Sequence, residues 1–527
     1  MTYRLFAQLK MPTDNTTRVC IPLNEETVDS LIEAIGQASA TADLIELRLD
    51  GLVRGQLEKA LDRIDEIVSH AHRPVILTLR TKEQGGYREI EQQQRLNAWT
   101  RLFRTNNTFF DLEQDLVSTL TNEDQQPDWS RVICSHHDFE GVPVNLDEIF
   151  EQLSFTPARI VKIAVKANEV TDCLDILRLL ERSRTEERET IAIAMGSAGV
   201  ATRVLGPSQG SFLTYGASEA GSGTAPGQLT ESELTTVYRV DQIDSDTIIT
   251  GLVGQPVMHS VSPHMHNAAF TFAGTNGVYL PFEVKDLDAF IQRMVNPETR
   301  ELEWNLRGLS ITAPHKEGII KHLDSVDPIS KSVGAVNTVV VENEQLHGYN
   351  TDVQGLIEPL VQRIGSLAGS RAAVIGAGGA ARAAVFGLQR QGTDVALFAR
   401  DVNKADTLAM KFNISCNELS PVSSFSNYDI VINTTPLGSL GEKINETPAG
   451  RDQLRGARLV YDLVYNPIET RLLREAREVG CDVLGGLEML VGQAKLQFKM
   501  WTNTDISSDL MYEAGLTALK KNSALIS

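Results

Sequence analysis

Arg159-Ile160-Val161-Lys162-Ile163-Ala164-Val165 is a β-rich apolar run with one cation at its centre. A run of this length and composition reads as a buried strand. An ammonium inside it sheds its hydration, so the charged form is disfavoured and the pKa is expected to fall. A lysine that is partly neutral near pH 7 can attack a carbonyl carbon and form a Schiff base. The competing reading is a lysine at a barrel end that snorkels to water. What surrounds the run decides between them.

The run is one of a series. Between residues 18 and 216, β-rich stretches alternate with longer helical ones: Arg18–Pro22, Asp43–Leu49, Pro74–Leu79, Thr108–Leu112, Arg131–Ser135, Arg159–Val165, Thr190–Met195 and Ser211–Tyr215. Several intervening segments are amphipathic, Val28–Ser39 and Thr171–Arg182 among them. Eight strand–helix repeats predict a (β/α)₈ TIM barrel, in which chemistry gathers at the C-terminal strand ends. Those ends carry Glu46 and Arg48, Arg80, His136 and His137, Lys162, and Met195 with Arg203 in the loop beyond. After the last strand comes Thr224-Ala225-Pro226-Gly227-Gln228. Singly, each reads as a barrel-mouth ion pair or a loop arginine. Three arginines, a histidine and a buried lysine on one face describe a pocket for an anionic carbonyl compound. The lysine would form the imine and a histidine would move protons. On a strand, His136 faces away from His137, and Lys166 lies past the apolar run.

At 527 residues the chain is too long for one core, so two to four domains are expected. A formal net charge of −20 argues against a general nucleic-acid or membrane-surface binder. An anionic substrate then requires locally basic mouths. The cysteines (Cys20, Cys134, Cys173, Cys416, Cys481) are scattered, with no CxxC pair, as expected of reduced thiols in the cytoplasm. The start, Met1-Thr2-Tyr3-Arg4-Leu5-Phe6, has neither an apolar signal core nor the look of a transit segment. No apolar run approaches the ~18 residues needed to span a bilayer. Neither a metal, nor a nucleic acid, nor a membrane is expected as a partner.

Residues 229–247 are polar and acidic, and a new β-rich run, Thr247–Val253, follows; the main boundary is expected near 245. Farther on, Gly376-Ala377-Gly378-Gly379-Ala380-Ala381 follows the strand Arg371–Ile375 and opens a helical stretch. In that context G-x-G-x-x-[GA] reads as a dinucleotide site, its glycines letting backbone N–H groups approach pyrophosphate. The next strand ends at Arg400, with Lys404 four residues on. Two cations there suit the 2′-phosphate of NADP, with Asp401 beside them pulling the other way. Ser260 and Ser262 stand at a strand–helix turn, where hydroxyls can meet an anion or simply cap the helix. Lys316 and Asp352 are a candidate proton-transfer pair for carbonyl reduction, or a surface ion pair. Asn433-Thr434-Thr435-Pro436-Leu437-Gly438 follows another buried strand and should touch the cofactor.

ELRLD (46–50), LRTKEQGG (79–86), SHHDF (135–139), VKIA (161–164), the MG…TRVLG segment (195–206) and TAPGQ (224–228) together resemble the type I 3-dehydroquinate dehydratases. The resemblance implies that Lys162 forms the imine and His137 is the general acid/base. It implies that Glu46, Arg48, Arg80, Arg203, Thr224 and Gln228 hold the substrate's carboxylate and hydroxyls. That family usually has a glutamate directly before the Gly-Gly after strand 3. Here Gln84 stands in its place with Glu83 one earlier, and either orients His137.

From about 248 onward the chain resembles shikimate dehydrogenase. By that resemblance Ser260, Ser262, Thr312, Asn337, Tyr465 and Gln493 bind substrate, and Lys316 and Asp352 are the catalytic pair. Gly376, Ala377, Gly378, Gly379, Ala380, Arg400, Lys404, Thr434, Val464, Gly486 and Met489 fall on the NADP side. Serine at both 260 and 262 favours shikimate over quinate. The implied architecture is a barrel at 1–240, a substrate lobe at 248–355 rejoined by 480–527, and a Rossmann-type NADP lobe at 356–480. The implied function is bifunctional: dehydration of 3-dehydroquinate to 3-dehydroshikimate, then NADPH-dependent reduction to shikimate. A quinate/shikimate dehydrogenase working catabolically, a ligand-sensing regulator built from the same modules and, for the first half, a class I aldolase are the alternatives. Retention of Lys162, His137, Lys316 and Asp352 argues against the regulator, and the arginines with His137 argue against the aldolase.

Overall fold

The computed structural model describes residues 17–122, 126–218, 228–420 and 423–524. The chain divides into two compact units: Met1–Thr247 with Pro281–Met294 and Glu301–Glu303, and Ile248–Leu280 with Val295–Arg300 and Trp304–Ser527.

In the first unit the strands are β1 (Val19–Leu23), β2 (Leu44–Arg48), β3 (Val75–Thr78), β4 (Thr108–Glu113), β5 (Val132–Asp138), β6 (Ile160–Lys166), β7 (Thr190–Met195) and β8 (Thr214–Tyr215). They form one parallel sheet in the order β7-β6-β5-β4-β3-β2-β1-β8. Its edges meet through a parallel bridge between Thr190 and Ser211, and the Phe212 N–H donates to the Thr190 carbonyl at 2.7 Å. The barrel therefore nearly closes, as expected. The last strand is shorter than the predicted Ser211–Tyr215. The Ser211 hydroxyl donates to the Leu213 carbonyl at 2.9 Å, a local bond that competes with the ladder. Lys166, expected past the strand, is its exposed last residue.

Strand periodicity places the chemistry. Cys20, Leu44, Ile76, Phe109, Ile133, Ile160, Ile191 and Phe212 pack into one apolar cluster. Two residues farther along a strand, side chains point the same way. That step brings in Glu46, Thr78, Asp111, Ser135 and Lys162, all buried. A second step brings in Arg48, Arg80, Glu113 and His137. Arg203 lies on a short helix, α1 (Val200–Leu205), rather than in a loop.

Two further sheets follow. One is mixed: β9 (Ile248–Gly254), β10 (Gly277–Glu283), β11 (Leu306–Ile311), β12 (Ser325–Val326), β13 (Thr338–Glu342) and β14 (Gln345–Tyr349), in the order β10-β9-β11-β13-β14-β12. The other is parallel: β15 (Arg371–Ile375), β16 (Asp394–Ala399), β17 (Ser415–Glu418), β18 (Ile430–Asn433), β19 (Leu459–Asp462) and β20 (Asp482–Leu484), in the order β17-β16-β15-β18-β19-β20. This is the doubly wound order, whose strand sequence reverses between β15 and β18 and leaves a ligand crevice there.

Four helices position the second site: α2 (Ser262–Ala273), α3 (Asp352–Ile364), α4 (Gly379–Arg390) and α5 (Gly486–Thr502). On α5, Leu487, Val491, Ala494, Phe498 and Trp501 recur at helical spacing and pack with Phe270 and Tyr279. A Cβ on Gly355 of α3 would lie 2.7 Å from the Gln493 nitrogen of α5, so only glycine lets these helices approach. No helix among the described residues is long and apolar enough to cross a membrane.

Phe498 is fully buried against Phe270 and beside His266. Phe498→Ala should lower the unfolding free energy of the second unit by about 3–5 kcal/mol. Denaturant titration followed by far-ultraviolet circular dichroism would read it, and an unchanged midpoint would show that α5 is not anchored there.

Candidate functional site

The barrel mouth holds a cavity of about 90 Å³, lined among others by Glu46, Arg48, Arg80, Gln84, His137, Lys162, Met195, Arg203, Tyr215 and Gln228. Of the residues expected there, only Thr224 lies outside the described residues. At its base, Lys162 Nζ donates to Asp111 Oδ2 at 2.7 Å and to the Tyr215 hydroxyl at 2.9 Å, with Glu46 Oε2 at 3.9 Å. Arg80 Nη2 donates to the same Asp111 oxygen at 2.7 Å, and the Ser135 hydroxyl donates to Asp111 Oδ1 at 2.6 Å. Burial alone would raise the Asp111 carboxyl, but Arg80 and Lys162 outweigh it and hold it well below the usual carboxylate range. Asp111 was not among the expected site residues. It hides in an apolar strand, Phe109-Phe110-Asp111-Leu112, and its inward register was the available signal.

His137 and His136 separate as the strand alternation requires: only His137 lines the cavity. Neither expected partner holds its ring. Gln84 Oε1 accepts the His137 backbone N–H at 2.9 Å, and Glu83 is exposed. The ring contact comes from Arg80, whose Nη1 lies 3.0 Å from Nδ1. Arginine carries only donors, so Nδ1 accepts and the proton of the neutral ring sits on Nε2. Burial first, then Arg80 and Lys162, push this histidine well below its ordinary pKa.

The expectation of a locally basic mouth fails here, because most of the cations are paired. Arg48 makes a bidentate contact with buried Asp50 at 3.0 and 2.8 Å. Arg80 and Lys162 share Asp111. Arg203 is the exception. It is 2 % exposed, its Nε has no hydrogen-bond partner, and no carboxylate pairs with it among the described residues. Burial pushes it down to about 10. A buried guanidinium in this state suits an anionic ligand group.

The second cavity, about 320 Å³, is lined among others by Ser260, Ser262, Thr312, Lys316, Asn337, Asp352, Ala380, Tyr465, Gly486, Met489, Gln493 and Gln497. Lys316 Nζ donates to Asp352 Oδ2 at 2.5 Å, and Asn337 Nδ2 donates to Asp352 Oδ1 at 2.8 Å. Asp352 is the first residue of α3 and 4 % exposed, so this is not a surface pair. The capping reading of the serines does not hold: the N-cap of α2 is Val261, with no side-chain capping bond. Ser260 Oγ accepts the Ser262 N–H at 3.2 Å, and the two hydroxyls lie 3.1 Å apart while lining the cavity. Sequence reading missed Gln497 and Ser310. The Ser310 hydroxyl donates to Gln497 Oε1 at 2.8 Å, and Gln497 Nε2 donates to the Thr338 hydroxyl at 3.0 Å.

The dinucleotide fingerprint sits at the reversal of the doubly wound sheet. Gly376 has φ of +119°, and a Cβ there would lie 2.4 Å from Thr434 Oγ1, which donates to the Ile375 carbonyl at 2.7 Å. Gly378 caps α4, and a Cβ on it would meet nothing within 4 Å. Its neighbour Ala377 packs on the core. This bare backbone at a helix N-terminus fits a pyrophosphate. Buried Asp462 accepts the Val464 N–H at 3.1 Å and so shapes the loop that carries Leu463 and Tyr465 to the cavity. Arg400 is exposed at the end of β16 and Lys404 lies on the following helix, its side chain outside the described residues.

Residues 19–245 match the family model described as type I 3-dehydroquinase. Residues 252–339 match the shikimate dehydrogenase substrate binding domain, 359–441 shikimate / quinate 5-dehydrogenase, and 486–514 the shikimate 5′-dehydrogenase C-terminal domain. The chain is 32% identical over 521 residues to the bifunctional 3-dehydroquinate dehydratase/shikimate dehydrogenase, chloroplastic, of Arabidopsis thaliana, covering 95% of this chain and 84% of that one. It is 40% identical over 279 residues to the shikimate dehydrogenase (NADP(+)) of Caldanaerobacter subterraneus subsp. tengcongensis, covering 52% of this chain and 98% of that one. A solved dehydroquinate dehydratase and shikimate dehydrogenase from S. pombe is 25% identical, covering 96% of this chain and 99% of that one at a TM-score of 0.42.

Asp111→Asn should destabilise the first unit by about 3–5 kcal/mol, because two buried cations lose their shared counter-charge. The folded carboxyl lies below its unfolded value of about 3.9, so the wild-type advantage is full above that pH. It should shrink as pH falls toward the folded value. Thermal unfolding of both proteins from about pH 3 to pH 8 checks this, and a gap of constant size below about pH 4 would contradict it.

Proposed function

The chain belongs to the family of bifunctional 3-dehydroquinate dehydratase/shikimate dehydrogenases, and from that premise we propose how its two cavities work in succession. The first dehydrates 3-dehydroquinate to 3-dehydroshikimate; the second reduces that product to shikimate with NADPH. The observation that carries the reading is Lys162, buried against Asp111 at the base of a cavity that also holds Arg203, a guanidinium with no carboxylate partner among the described residues. The limits 1–240, 248–355 with 480–527, and 356–480 are our division of the domains, supported by the matched ranges.

In the barrel, the substrate carboxylate pairs with Arg203, while Glu46, Arg48, Arg80, Thr224 and Gln228 take the remaining polar groups. The amine of Lys162 adds to the ketone carbon and the carbonyl oxygen takes up protons. Water leaves, so ketone plus ammonium become iminium plus water. The iminium draws electrons from the adjacent C–H, which His137 removes, and the same residue assists the departing hydroxyl. Acting as base at Nε2 requires its proton to sit on Nδ1, where Arg80 now donates. Substrate bound to Arg80 would draw the guanidinium away and release Nδ1.

In the second cavity, Lys316 gives a proton to the ketone oxygen as the carbon is reduced, and Asp352 holds its ammonium. Ser260, Ser262, Thr312, Asn337, Tyr465 and Gln493 orient the substrate. Gly376, Gly378 and Gly379 would hold the pyrophosphate, Arg400 and Lys404 the 2′-phosphate, and Val464, Gly486 and Met489 the nicotinamide. Bound NADPH supplies the reducing equivalent. The cytoplasm is the compartment we propose, supported by free cysteines at every described position.

The direct test is one mixture of purified protein, 3-dehydroquinate and NADPH. Nucleotide oxidation without added enzymes is expected; none, with each half-reaction assayed separately, would refute the reading. Lys162→Ala should abolish dehydration and spare shikimate oxidation. Lys316→Ala should lower reductase turnover by roughly 10²–10⁴-fold, and unchanged turnover would remove it from the chemistry. Nitrogen-15 NMR should find His137 neutral and protonated on Nε2 in the free protein, moving to Nδ1 when a substrate analogue is added. A free protein already protonated on Nδ1 would remove Arg80 from this role.

A further inference from the structure

We propose that the Tyr215 hydroxyl is the second point of a clamp that aims the attacking lone pair of Lys162 into the cavity; this rests on the imine-forming role of Lys162. Tyr215 is the last residue of β8, held in register against Cys20 of β1 and 6 % exposed. Its backbone is fixed by the sheet, so its hydroxyl has a set position. That position is 2.9 Å from Lys162 Nζ, with the ring centroid 4.6 Å from the same nitrogen. Burial keeps the phenol protonated, well above its ordinary pKa, so its oxygen meets the lysine as a neutral acceptor.

The argument is tetrahedral geometry. Nζ has four directions: the bond to Cε and three others. One N–H is fixed by Asp111 Oδ2 at 2.7 Å and a second by the Tyr215 oxygen at 2.9 Å. One direction is left. The proton that departs before attack leaves from it, to end on the ketone oxygen that later departs as water, and the lone pair appears there. With Asp111 as the only acceptor, Nζ could rotate about Cε–Nζ and spread the lone pair over several directions, most of them unproductive. Asp111 alone fixes a point, whereas Asp111 and Tyr215 together fix an orientation.

The clamp acts at one step only. The amine forms a bond to the ketone carbon, the oxygen leaves as water, and the resulting iminium nitrogen carries a single hydrogen. That hydrogen has one acceptor, and the charged Asp111 retains it in preference to the neutral phenol. The Tyr215 contact therefore ends once the imine exists and contributes nothing to C–H removal. Tyr215 is a positioning residue, acting through Lys162.

Tyr215→Phe keeps the ring and its face toward Nζ and removes only the hydroxyl. The experiment mixes full-length protein with 3-dehydroquinate, quenches with borohydride at set times, and measures the adduct on Lys162 by mass spectrometry across a pH series. The expected result is a high-pH plateau rate about tenfold below the parent. KM and the reductase rate should not change. A plateau within twofold of the parent, or a loss matched by an equal rise in KM, would overturn the clamp. Absence of a Lys162 adduct in the parent would instead refute the imine reading on which it rests.

Discussion

A carboxylate taken out of water survives as an anion only where cations replace its hydration, and Asp111 meets that condition from two strands beyond its own. Arg80 follows β3, Lys162 lies on β6, and both reach one oxygen of Asp111 on β4. Ser135 of β5 takes the other oxygen. Each of these side chains would be costly alone at this depth. Together they join four parts of the barrel at the level where the cavity begins. The positions of Lys162, of the ring contact to His137 and of the cavity base all follow from this one charge.

The second cavity meets the same constraint with other parts. Asp352 stands at the N-terminus of α3, where the helix favours an anion, and it accepts from Lys316 and Asn337. Asn337 is itself tied to Thr351, whose backbone N–H donates to Asn337 Oδ1 at 2.7 Å. In both places a lysine meets a carboxylate that has further donors. The lysine is thereby held without the carboxylate being free to take its proton. The difference is access. Lys162 lies at the bottom of a barrel, whereas Lys316 is a fifth exposed along its side chain.

The parts of this arrangement that obey a local period were legible in the sequence. Strand alternation put His137 inward and His136 outward, and the strand–turn–helix setting of Gly376-Ala377-Gly378-Gly379 marked the crevice at the reversal of the parallel sheet. Partnerships were less legible. The choice between Gln84 and Glu83 as orienter of His137 was a question about near neighbours in sequence. The ring contact came from Arg80, 57 residues away. Asp111 went unread for a related reason: its flanking phenylalanines and leucine made the run look like core, and core it is except for that one inward position. Arg203 was recognised but placed in a loop, because Met195-Gly196 reads as the end of a strand with no signal that a short helix follows so soon.

Net charge was the least informative quantity about either site. A chain of −20 seemed to need basic mouths to take an anion, yet the barrel mouth matches nearly every cation to a carboxylate. Arg203 alone departs from that rule, and its departure has a physical meaning. Burying an arginine that meets a carbonyl but no carboxylate among the described residues costs free energy that the fold must supply. A ligand carboxylate that reaches it restores the missing counter-charge, so part of that cost is returned on binding. Under the proposed function the substrate completes an ion-pair network that the described residues leave one anion short. An aldehyde or ketone without a carboxylate would meet the same lysine and leave Arg203 unpaired. Selectivity for an acid then comes from the penalty on the wrong ligand, as it does wherever a buried polar group is built to be satisfied by only one partner.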